Sequence, residues 1–285
     1  MSEPVVIESP AALVAWANAR HREGKSIALV PTMGYLHAGH LSLVGAARAR
    51  ADLVVASIFV NPTQFGPTED LARYPRDLEG DLAKLGSVGV DVVFAPERGA
   101  IYPADFDTYV VPQALATTLC GASRPGHFRG VATIVLVLFQ LSRCDVAVFG
   151  EKDRQQLTII RRMARDLWLP VEVVGVPIVR EPDGLAMSSR NAYLSASERA
   201  EALVLSQALA LAEKQFLAGE RHAPKLIAAM REQLGSAKAA RIDYVEIVDE
   251  KSLQPVTEVT RSAVAALAVF VGKTRLIDNR VLSAS

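Results

Sequence analysis

The first part of the chain, up to about residue 182, alternates short apolar runs with segments in which apolar residues recur at helical spacing. The apolar runs are rich in Val, Ile and Leu, as is typical of buried strands in a parallel sheet. Strands are predicted at residues 26–30, 53–60, 90–95, 146–149 and within 171–179, and helices at 9–22, 39–50, 77–86 and 155–167. This alternation predicts an α/β fold with an open, mostly parallel sheet.

The pattern changes after residue 182. Segments 195–218 and 224–234 are rich in Ala and Leu and predict helices. Segment 242–248 alternates apolar and polar residues, and 264–271 is largely apolar, so both predict short strands without a clear crossover. We therefore expect an α/β domain at residues 1–182 and a smaller α+β domain at residues 183–285.

Composition narrows the class of protein. The chain has 285 residues, 50% of them hydrophobic, with 31 basic and 31 acidic residues, so it can build a sizeable core and carries no basic excess for nucleic acid. Cys120 and Cys144 have no paired spacing, which favours a reducing compartment and inert core cysteines.

The longest apolar run, 131–141, is too short to span a bilayer and predicts a buried helix. With no signal-like segment at the N-terminus, we expect a cytoplasmic protein that binds neither nucleic acid nor membrane.

Residues 30–40, Val-Pro-Thr-Met-Gly-Tyr-Leu-His-Ala-Gly-His, are the most informative segment. A predicted strand ends here and a predicted helix begins near Gly39, so His37 and His40 share a face of its first turn. A helix N-terminus suits phosphate, and two imidazoles beside it could bind triphosphate oxygens and a leaving pyrophosphate. Alternatively, the two histidines could have a structural role or supply half of a zinc site. Zinc needs further ligands, and no nearby motif supplies them.

Three further polar clusters follow predicted strands: residues 61–67, residues 150–156 and the stretch after Val179. Ligands of open α/β sheets bind at the carboxyl ends of strands, so these clusters and the histidine segment predict a common ligand site. Gln64 could hold a hydroxy acid without adding charge, or stabilise its own turn. Lys152 could act as a point charge on a phosphate, or be a solvated turn residue.

Other polar residues of these clusters have less specific patterns. Gln155 and Gln156 begin a predicted helix, so one is expected to face the cleft and the other solvent. Residues 187–190, Met-Ser-Ser-Arg, follow a Pro-Asp-Gly turn and could clamp a polyphosphate or cap a helix. The loop 124–130 holds two cations and a histidine, and could bind a carboxylate or simply lead into the next helix.

Taken together, these motifs resemble those of the pantothenate synthetase (pantoate–β-alanine ligase) family, in the nucleotidyltransferase superfamily that carries His-x-Gly-His. The matching stretches are residues 31–40, 59–66, 124–131, 149–153, 187–191 and 274–279, in family order and over nearly the whole chain. Many adenylating enzymes share His-x-Gly-His, but its combination with Asn-Pro-x-Gln-Phe-Gly and Met-Ser-Ser-Arg is highly specific. The resemblance implies a Rossmann-like parallel-sheet domain followed by a smaller α+β lid domain.

The resemblance also implies a two-step ligation in pantothenate biosynthesis. ATP adenylates the carboxylate of (R)-pantoate and releases pyrophosphate, and the amine of β-alanine then attacks the pantoyl adenylate to give pantothenate and AMP. Mg²⁺ would accompany ATP, and a homodimer is expected because the family usually forms one. No protein nucleophile is needed, since the main task is to neutralise charge on pyrophosphate.

Site residues follow from the same resemblance. His40 is implied as the catalytic proton donor, with His37 and Lys152 beside it on the phosphates. The implied ATP-binding residues are Met33, Gly34, Tyr35, Leu36, His37, Ala38, Gly39, His40, Gly150, Glu151, Lys152, Asp153, Val179, Met187, Ser188, Ser189 and Arg190, the last three closing over the triphosphate from the junction with the second domain. The implied pantoate- or β-alanine-binding residues are Gln64, Gln156, Asn61, Arg124 and His127, and Asp81 is a candidate near the Mg²⁺ ion.

Two residues depart from the family pattern: Arg154, where an aromatic or small residue usually precedes the Gln pair, and Val137, where relatives often carry a lysine. The nearest rival function is nucleotidyl transfer to a phosphorylated acceptor, but Gln64 and Gln156 add no cations for such an acceptor. A class I aminoacyl-tRNA synthetase would need a basic RNA-binding region. The alternative from another functional class is a nucleotide-binding protein without catalytic activity. The presence of His37, His40, Lys152 and Arg190 counts against it.

Overall fold

A parallel sheet organises the N-terminal part of the computed structural model, which describes residues 3–67 and 69–283. Its strands are β1 (Val5–Ile7), β2 (Ile27–Thr32), β3 (Leu53–Ile58), β4 (Val92–Phe94), β5 (Val146–Gly150) and β6 (Glu172–Val176). Within the described residues, these six strands are all parallel and pair in the order β1-β4-β3-β2-β5-β6. The predicted parallel sheet is present, with β1 as an additional strand at its edge.

Helices connect these strands near the predicted positions. They are α1 (Pro10–Arg22), α2 (Ala38–Arg48), α3 (Leu78–Ser87), α4 (Arg98–Ile101), α5 (Leu119–Ser123), α6 (His127–Ser142) and α7 (Arg154–Asp166), with short 3₁₀ helices at Pro62–Gln64, Asp70–Arg73, Ala114–Ala116 and Glu151–Asp153. Side-chain caps set some of the starts: Ser9 accepts the Ala12 N–H before α1, and Asp77 accepts the Gly80 N–H before α3. In the part of the chain that the structure describes, no helix is both long and apolar enough to cross a membrane.

The central strands are buried on both faces, which explains their nearly continuous apolar sequences. Ala28 and Val30 of β2 belong to a core that also contains Val44 and Ala47 of α2. The intervening Leu29 points to the opposite face, because side chains alternate along a strand, and it is also 0% exposed. Burial of both faces is the usual state of a parallel sheet, so periodicity alone could not tell which residue faces which helix layer.

A second, antiparallel sheet lies in the C-terminal part of the chain. Its elements are a 3₁₀ helix (Ser189–Tyr193), α8 (Ala196–Glu201), α9 (Val204–Leu217), α10 (Ala223–Leu234), β7 (Ala240–Asp249), β8 (Ser262–Val271) and β9 (Thr274–Ser283). Among the described residues, the three strands pair in the order β7-β8-β9. Buried Leu, Ala, Val and Phe side chains of α9, α10 and this sheet form one core.

Two details differ from the sequence-based expectation here. The helix predicted at 195–218 is divided, with a turn at residues 202–203 between α8 and α9. Residues 274–279 were recognised only as a motif, yet they begin β9. The polar residues Arg275, Asp278 and Asn279 hide this strand, because they interrupt the apolar alternation by which a half-buried strand is recognised.

The described chain divides into two compact units whose boundary is less simple than a cut after residue 182. The first unit comprises Met1–Pro112, Arg124–Glu151 and Gln156–Pro177, and the second comprises Gln113–Ser123, Lys152–Gln155 and Ile178–Ser285. Residues 178–182 thus belong with the C-terminal unit, together with two segments from earlier in the chain. No local pattern marks those two segments, because their assignment depends on tertiary contacts.

Both cysteines are buried, as the sequence predicts. Burial raises the pKa of the Cys144 thiol to about 12, so the reactive thiolate does not form near neutral pH. In the second unit, the Cys120 sulfur lies 3.4 Å from the Tyr244 hydroxyl and 3.6 Å from each terminal nitrogen of Arg275.

Two neighbouring residues of α9 test the core of the second unit. Phe216 is 1% exposed and Leu217 is 65% exposed. We expect Phe216→Ala to lower the free energy of unfolding by about 3–5 kcal/mol, because it leaves a cavity among buried side chains. Leu217→Ala should change it by no more than about 0.5 kcal/mol. Urea denaturation followed by circular dichroism measures both, and similar losses for the two variants would contradict the assignment of the buried face.

Candidate active site

The strand order creates a switch point at the carboxyl edge of the parallel sheet. From β2 the chain adds β3 and then β4 on one side, whereas β5 and β6 lie on the other side of β2. Ligands of open α/β sheets bind in the crevice outside the strand ends at such a point. The loop after β2 holds the histidine segment, β5 leads into Gly150 and Glu151, and β3 leads into the loop with Gln64. The first unit therefore gathers the histidine segment, the loop with Gln64 and the beginning of the 150–156 cluster at adjacent strand ends.

One buried carboxylate holds the loop after β2. Asp81 of α3 is 0% exposed, and its two oxygens accept the N–H groups of Tyr35 and Leu36, each at 2.7 Å. Gly34 has a φ of +83°, and a Cβ there would lie 3.1 Å from both an Asp81 oxygen and Ile58 Cγ2. The position therefore needs glycine for its conformation and for the close approach.

His37 and His40 form a reciprocal cap at the start of α2. His37 is the N-cap residue, and its Nδ1 accepts the Gly39 N–H at 3.2 Å. His40 Nδ1 accepts the His37 N–H at 3.3 Å, and the two ring centroids are 4.1 Å apart. Because Nδ1 is an acceptor in both rings, each neutral imidazole carries its proton on Nε2. The pair thus presents two N–H donors beside a helix N-terminus, an arrangement suited to phosphate.

Asn61 fixes the carboxamide of Gln64. Asn61 is 1% exposed, and its Nδ2 donates to Gln64 Oε1 at 2.9 Å and to the Gly130 carbonyl at 3.1 Å. The Asn61 Oδ1 accepts the hydroxyls of Thr63 and Tyr102, both at 2.9 Å. Gln64 Oε1 is therefore turned toward Asn61, and Nε2 lies on the opposite side, 3.2 Å from the Met33 sulfur. Gln64 consequently presents amide donors rather than a carbonyl.

Arg124 and His127 hold the loop that carries Gln64 through its main chain. Arg124 forms a two-pronged ion pair with Glu69, at 2.7 and 2.6 Å, and donates to His127 Nε2 at 3.0 Å. His127 Nδ1 donates to the Gln64 carbonyl at 2.8 Å, which leaves Nε2 as the acceptor. Burial favours the neutral form of Glu69, but the hydrogen bonds and charge of Arg124 outweigh it and lower the pKa of Glu69. These bonds occupy the polar groups of Arg124 and His127 with protein partners.

Lys152 lies in a segment that the second unit holds firmly. The Lys152 carbonyl accepts the Asn279 Nδ2–H at 2.9 Å, and Arg154 forms an ion pair with Glu250. Gln155 is 6% exposed, and its Nε2 donates to the carbonyls of Leu115 and Thr118 at 2.9 and 2.8 Å. The expectation that one glutamine of the pair faces solvent was wrong for Gln155, because the 113–123 segment covers it. Gln156 lies in the first unit and is half-buried.

The residues after Val179 form a hairpin that returns directly beside it. The Met187 N–H donates to the Val179 carbonyl at 3.0 Å, and Gly184 at the turn has a φ of +97°. Ser188 then caps the 3₁₀ helix by accepting the Arg190 N–H at 3.3 Å, while Ser189 is 8% exposed. The second unit thus brings Val179 next to the Met-Ser-Ser-Arg motif, although several positions separate them along the chain.

The described residues do not fit a metal ion held by protein ligands alone. They contain no group of three or more His, Cys, Asp or Glu side chains that could hold one. Asp81, the candidate near Mg²⁺, has both oxygens engaged by backbone N–H groups, and Oδ1 also lies 3.8 Å from Lys84 Nζ. These contacts favour a structural role for Asp81 in holding the histidine loop.

Four residues that support the site were not identified from the sequence. Tyr102 donates a hydrogen bond to Asn61, and Glu69 forms an ion pair with Arg124. Asp278 forms an ion pair with Arg180, and Asn279 donates a hydrogen bond to the Lys152 carbonyl. Burial raises the pKa of Tyr102, so its hydroxyl remains a donor at neutral pH. Asp278 and Asn279 lie in a recognised motif, which was the one available signal.

Comparison of the sequence with known proteins identifies the family to which the chain belongs. The family model for pantoate-beta-alanine ligase matches residues 5–281. The chain belongs to the pantoate–β-alanine ligase family. A pantothenate synthetase of Heliobacterium modesticaldum is 56% identical over 277 residues, which cover 97% of this chain and 99% of the relative. The corresponding enzyme of Thermotoga neapolitana is 53% identical over 277 residues, with 97% and 99% covered.

Solved structures of this ligase family share the fold. The pantothenate synthetase of Thermus thermophilus is similar with a TM-score of 0.93 and 47% identity, covering 98% of this chain and 100% of that one. The pantoate-beta-alanine ligase of Francisella tularensis, solved in complex with "beta-gamma ATP" and β-alanine, gives a TM-score of 0.80 and 31% identity, with 99% of each chain covered. The expected fold class is confirmed. The protein is a ligase that catalyses the ATP-dependent condensation of pantoate with β-alanine.

The substitution Asp81→Asn tests how the histidine loop is held. An amide can accept only one of the two N–H bonds well, so we expect the free energy of unfolding to fall by about 1–3 kcal/mol. Catalysis should fall on the order of 10²-fold, because the loop that positions the histidines shifts. Thermal unfolding and the rate of pantothenate formation at several Mg²⁺ concentrations measure these effects.

Asp77→Asn is the matched control on the same helix, because asparagine caps helices as well as aspartate. A loss confined to a higher Mg²⁺ requirement, with unchanged thermal stability of the Asp81→Asn variant, would instead make Asp81 a metal ligand.

Proposed function

We propose that this ligase works through a pantoyl adenylate formed beside the histidine pair. A carboxylate oxygen of (R)-pantoate attacks the α-phosphorus of ATP, and the bond to pyrophosphate breaks. The amine of β-alanine then attacks the acyl carbon and gives up a proton, while the acyl–oxygen bond to AMP breaks. The observation that carries this proposal is the arrangement of His37 and His40, whose Nδ1 atoms are both occupied by backbone N–H groups at the N-terminus of α2.

The histidines act on the phosphates in this proposal. His40, with His37 as its partner, acts as a hydrogen-bond donor: each ring directs an Nε2–H group to oxygens that gain charge as pyrophosphate leaves, and the proton stays on the ring because Nδ1 already accepts a backbone N–H. Residues Met33–His40 bind ATP, which agrees with the close backbone approach that Gly34 permits and with the dipole of α2. Since the caps already hold both rings, little reorganisation is needed when charge develops.

Gln64 and Gln156 hold pantoate in this proposal, and Gln64 is also near β-alanine. Gln64 suits a carboxylate or hydroxyl oxygen because Asn61 turns its amide donors outward. We assign Asn61, Arg124 and His127 to positioning of Gln64, because their polar groups bond to the Gln64 amide, the Gln64 carbonyl or one another. This assignment replaces direct contact of these three residues with substrate.

Further ATP contacts are assigned to residues 150–153 and to the Val179–Arg190 stretch. Gly150, Glu151 and Asp153 are assigned to ATP together with Lys152, which places a point charge on its phosphates. Val179 and Met187 are hydrogen-bonded neighbours, which supports their common assignment to ATP. Ser188, Ser189 and Arg190 are assigned to the triphosphate, where hydroxyl and guanidinium donors match the anionic oxygens.

Three properties extend the proposal beyond the site. Mg²⁺ enters with ATP, held by the phosphates and water rather than by a protein cage, as is common for this ion. No step is assigned to it, because the described residues do not fit a protein-held ion. A cytoplasmic location and a homodimer are carried over from the family resemblance, and light scattering of the purified protein would determine the oligomeric state.

Isotope exchange tests the adenylate route. With pantoate, Mg²⁺ and ATP alone, labelled pyrophosphate should enter ATP, because the first step is reversible without β-alanine. Adding β-alanine should divert the adenylate to pantothenate and AMP. If a folded, ATP-binding protein forms pantothenate without supporting exchange, the adenylate route is contradicted. If it forms none, the next step is to screen other acceptors, including phosphorylated ones.

The variant Gln64→Glu tests the donor role of the carboxamide. It keeps an acceptor for Asn61 but replaces the amide donors with negative charge. We expect the KM for pantoate to rise at least about 100-fold, because a hydrogen-bond donor is lost and a carboxylate meets a carboxylate. The KM for ATP should stay near its original value. Gln140→Glu, at an exposed position of α6, is the control. An unchanged KM for pantoate would show that Gln64 does not donate to this substrate.

A further inference from the structure

Two consecutive residues of strand β9, Asp278 and Asn279, bond to two of the proposed ATP-binding stretches. These are the Val179–Arg190 stretch and the segment with Lys152. Asp278 is 3% exposed and Asn279 is 6% exposed, although the flanking Ile277 and Arg280 are only half-buried. Successive residues of a strand point to opposite faces, so burial of two in a row breaks the expected alternation. Each buried side chain has a partner that explains the exception.

Asp278 binds the base of the hairpin that carries Val179 and the Met-Ser-Ser-Arg motif. Its two oxygens accept from Arg180 at 2.7 and 2.9 Å. Arg180 also donates to the Gly184 carbonyl at 3.1 Å, which fastens the turn of the hairpin to its first arm. A carboxylate this deeply buried depends on its partner, so the pair fixes Arg180 and the adjacent Val179.

Asn279 binds the other stretch through the main chain. Its Nδ2 donates to the Lys152 carbonyl at 2.9 Å. The same segment is fastened at Gln155, which donates to two carbonyls, and at Arg154, which pairs with Glu250. All of these contacts lie within the second unit. The backbone that carries Lys152 is therefore set by this unit, although it directly follows β5 in sequence.

We propose that Asp278 and Asn279 are positioning residues for the triphosphate: they set the Lys152 backbone and the Val179–Arg190 stretch relative to each other. This inference rests on the proposed role of Lys152 and that stretch in binding ATP. Neither residue touches substrate in this proposal, and both act through the segments they hold. The departure at Arg154 fits the same scheme, because its ion pair with Glu250 adds an anchor to the Lys152 segment.

Steady-state kinetics of four variants test the proposal. Asn279→Asp removes the donor to the Lys152 carbonyl without changing size, and Asp278→Asn removes the charge that holds Arg180. Arg280→Gln is the control, because Arg280 lies next to Asn279 on β9 but pairs with Glu213 of α9. Lys152→Ala is the reference for loss of the phosphate contact itself. The measurements are kcat and KM for ATP in the exchange assay, KM for β-alanine in the complete reaction, and the thermal midpoint.

We expect Asn279→Asp and Asp278→Asn to lower kcat/KM for ATP on the order of 10²-fold, because small displacements of positioned groups are costly. The KM for β-alanine should be unchanged, and Arg280→Gln should behave like the parent protein. A purely structural role would instead lower the thermal midpoint and the yield of active protein without changing the KM for ATP. If Asp278→Asn does not fold, Asn279→Asp and the milder Asn279→Ser carry the test.

Two negative outcomes are distinguishable. If Lys152→Ala impairs the use of ATP while Asn279→Asp matches the parent protein, the positioning role is overturned and the proposed role of Lys152 stands. If Lys152→Ala itself leaves the kinetics for ATP unchanged, the role of Lys152 fails, and the positioning inference that rests on it fails as well.

Discussion

The candidate active site depends first on the buried carboxylate of Asp81, which holds the loop that carries the histidine pair. Its two oxygens hold the N–H groups of Tyr35 and Leu36, which lie between the end of β2 and the N-cap residue of α2. Buried N–H groups without partners would destabilise this loop, and the Asp81 oxygens supply those partners. Because Asp81 belongs to α3, the contact links the helix that precedes β4 to the loop that follows β2. The geometry of His37 and His40 follows from this link.

A single chemical logic then recurs among the proposed substrate-binding side chains. The fold occupies the acceptor atoms: backbone N–H groups bond to Nδ1 of His37 and His40, and Asn61 bonds to Oε1 of Gln64. What each side chain presents on its other side is an N–H donor. ATP and two carboxylic acids are rich in acceptors, so a site built from oriented donors suits them without a large excess of positive charge. This agrees with the neutral composition of the chain.

Support for these donors comes from residues that look unremarkable in the sequence. Tyr102 bonds Asn61 and Glu69 bonds Arg124, and in our proposal the buried pair on β9 positions the Lys152 segment and the Val179–Arg190 stretch. The supporting residues are distant in the chain from the groups they hold. Their roles depend on the donor and acceptor pattern, so exchanging an amide and a carboxylate of the same size, in either direction, changes the hydrogen bonds while leaving the packing nearly unchanged.

The sequence by itself determined the alternation of strands and helices, the cluster of polar motifs at strand ends and the family. These features are local, since apolar periodicity and motif spacing are written in neighbouring residues. Only the tertiary structure decided that Gln155 is buried, that β9 is a strand, that Asp81 holds a loop and that residues 152–155 belong to the C-terminal unit. Apart from β9, which pairs with β8 across a short turn, each of these depends on hydrogen bonds between residues far apart in the chain. Such hydrogen bonds produce no periodic pattern in the sequence. The sequence does not distinguish a polar residue that is buried with a partner from one that is exposed to water.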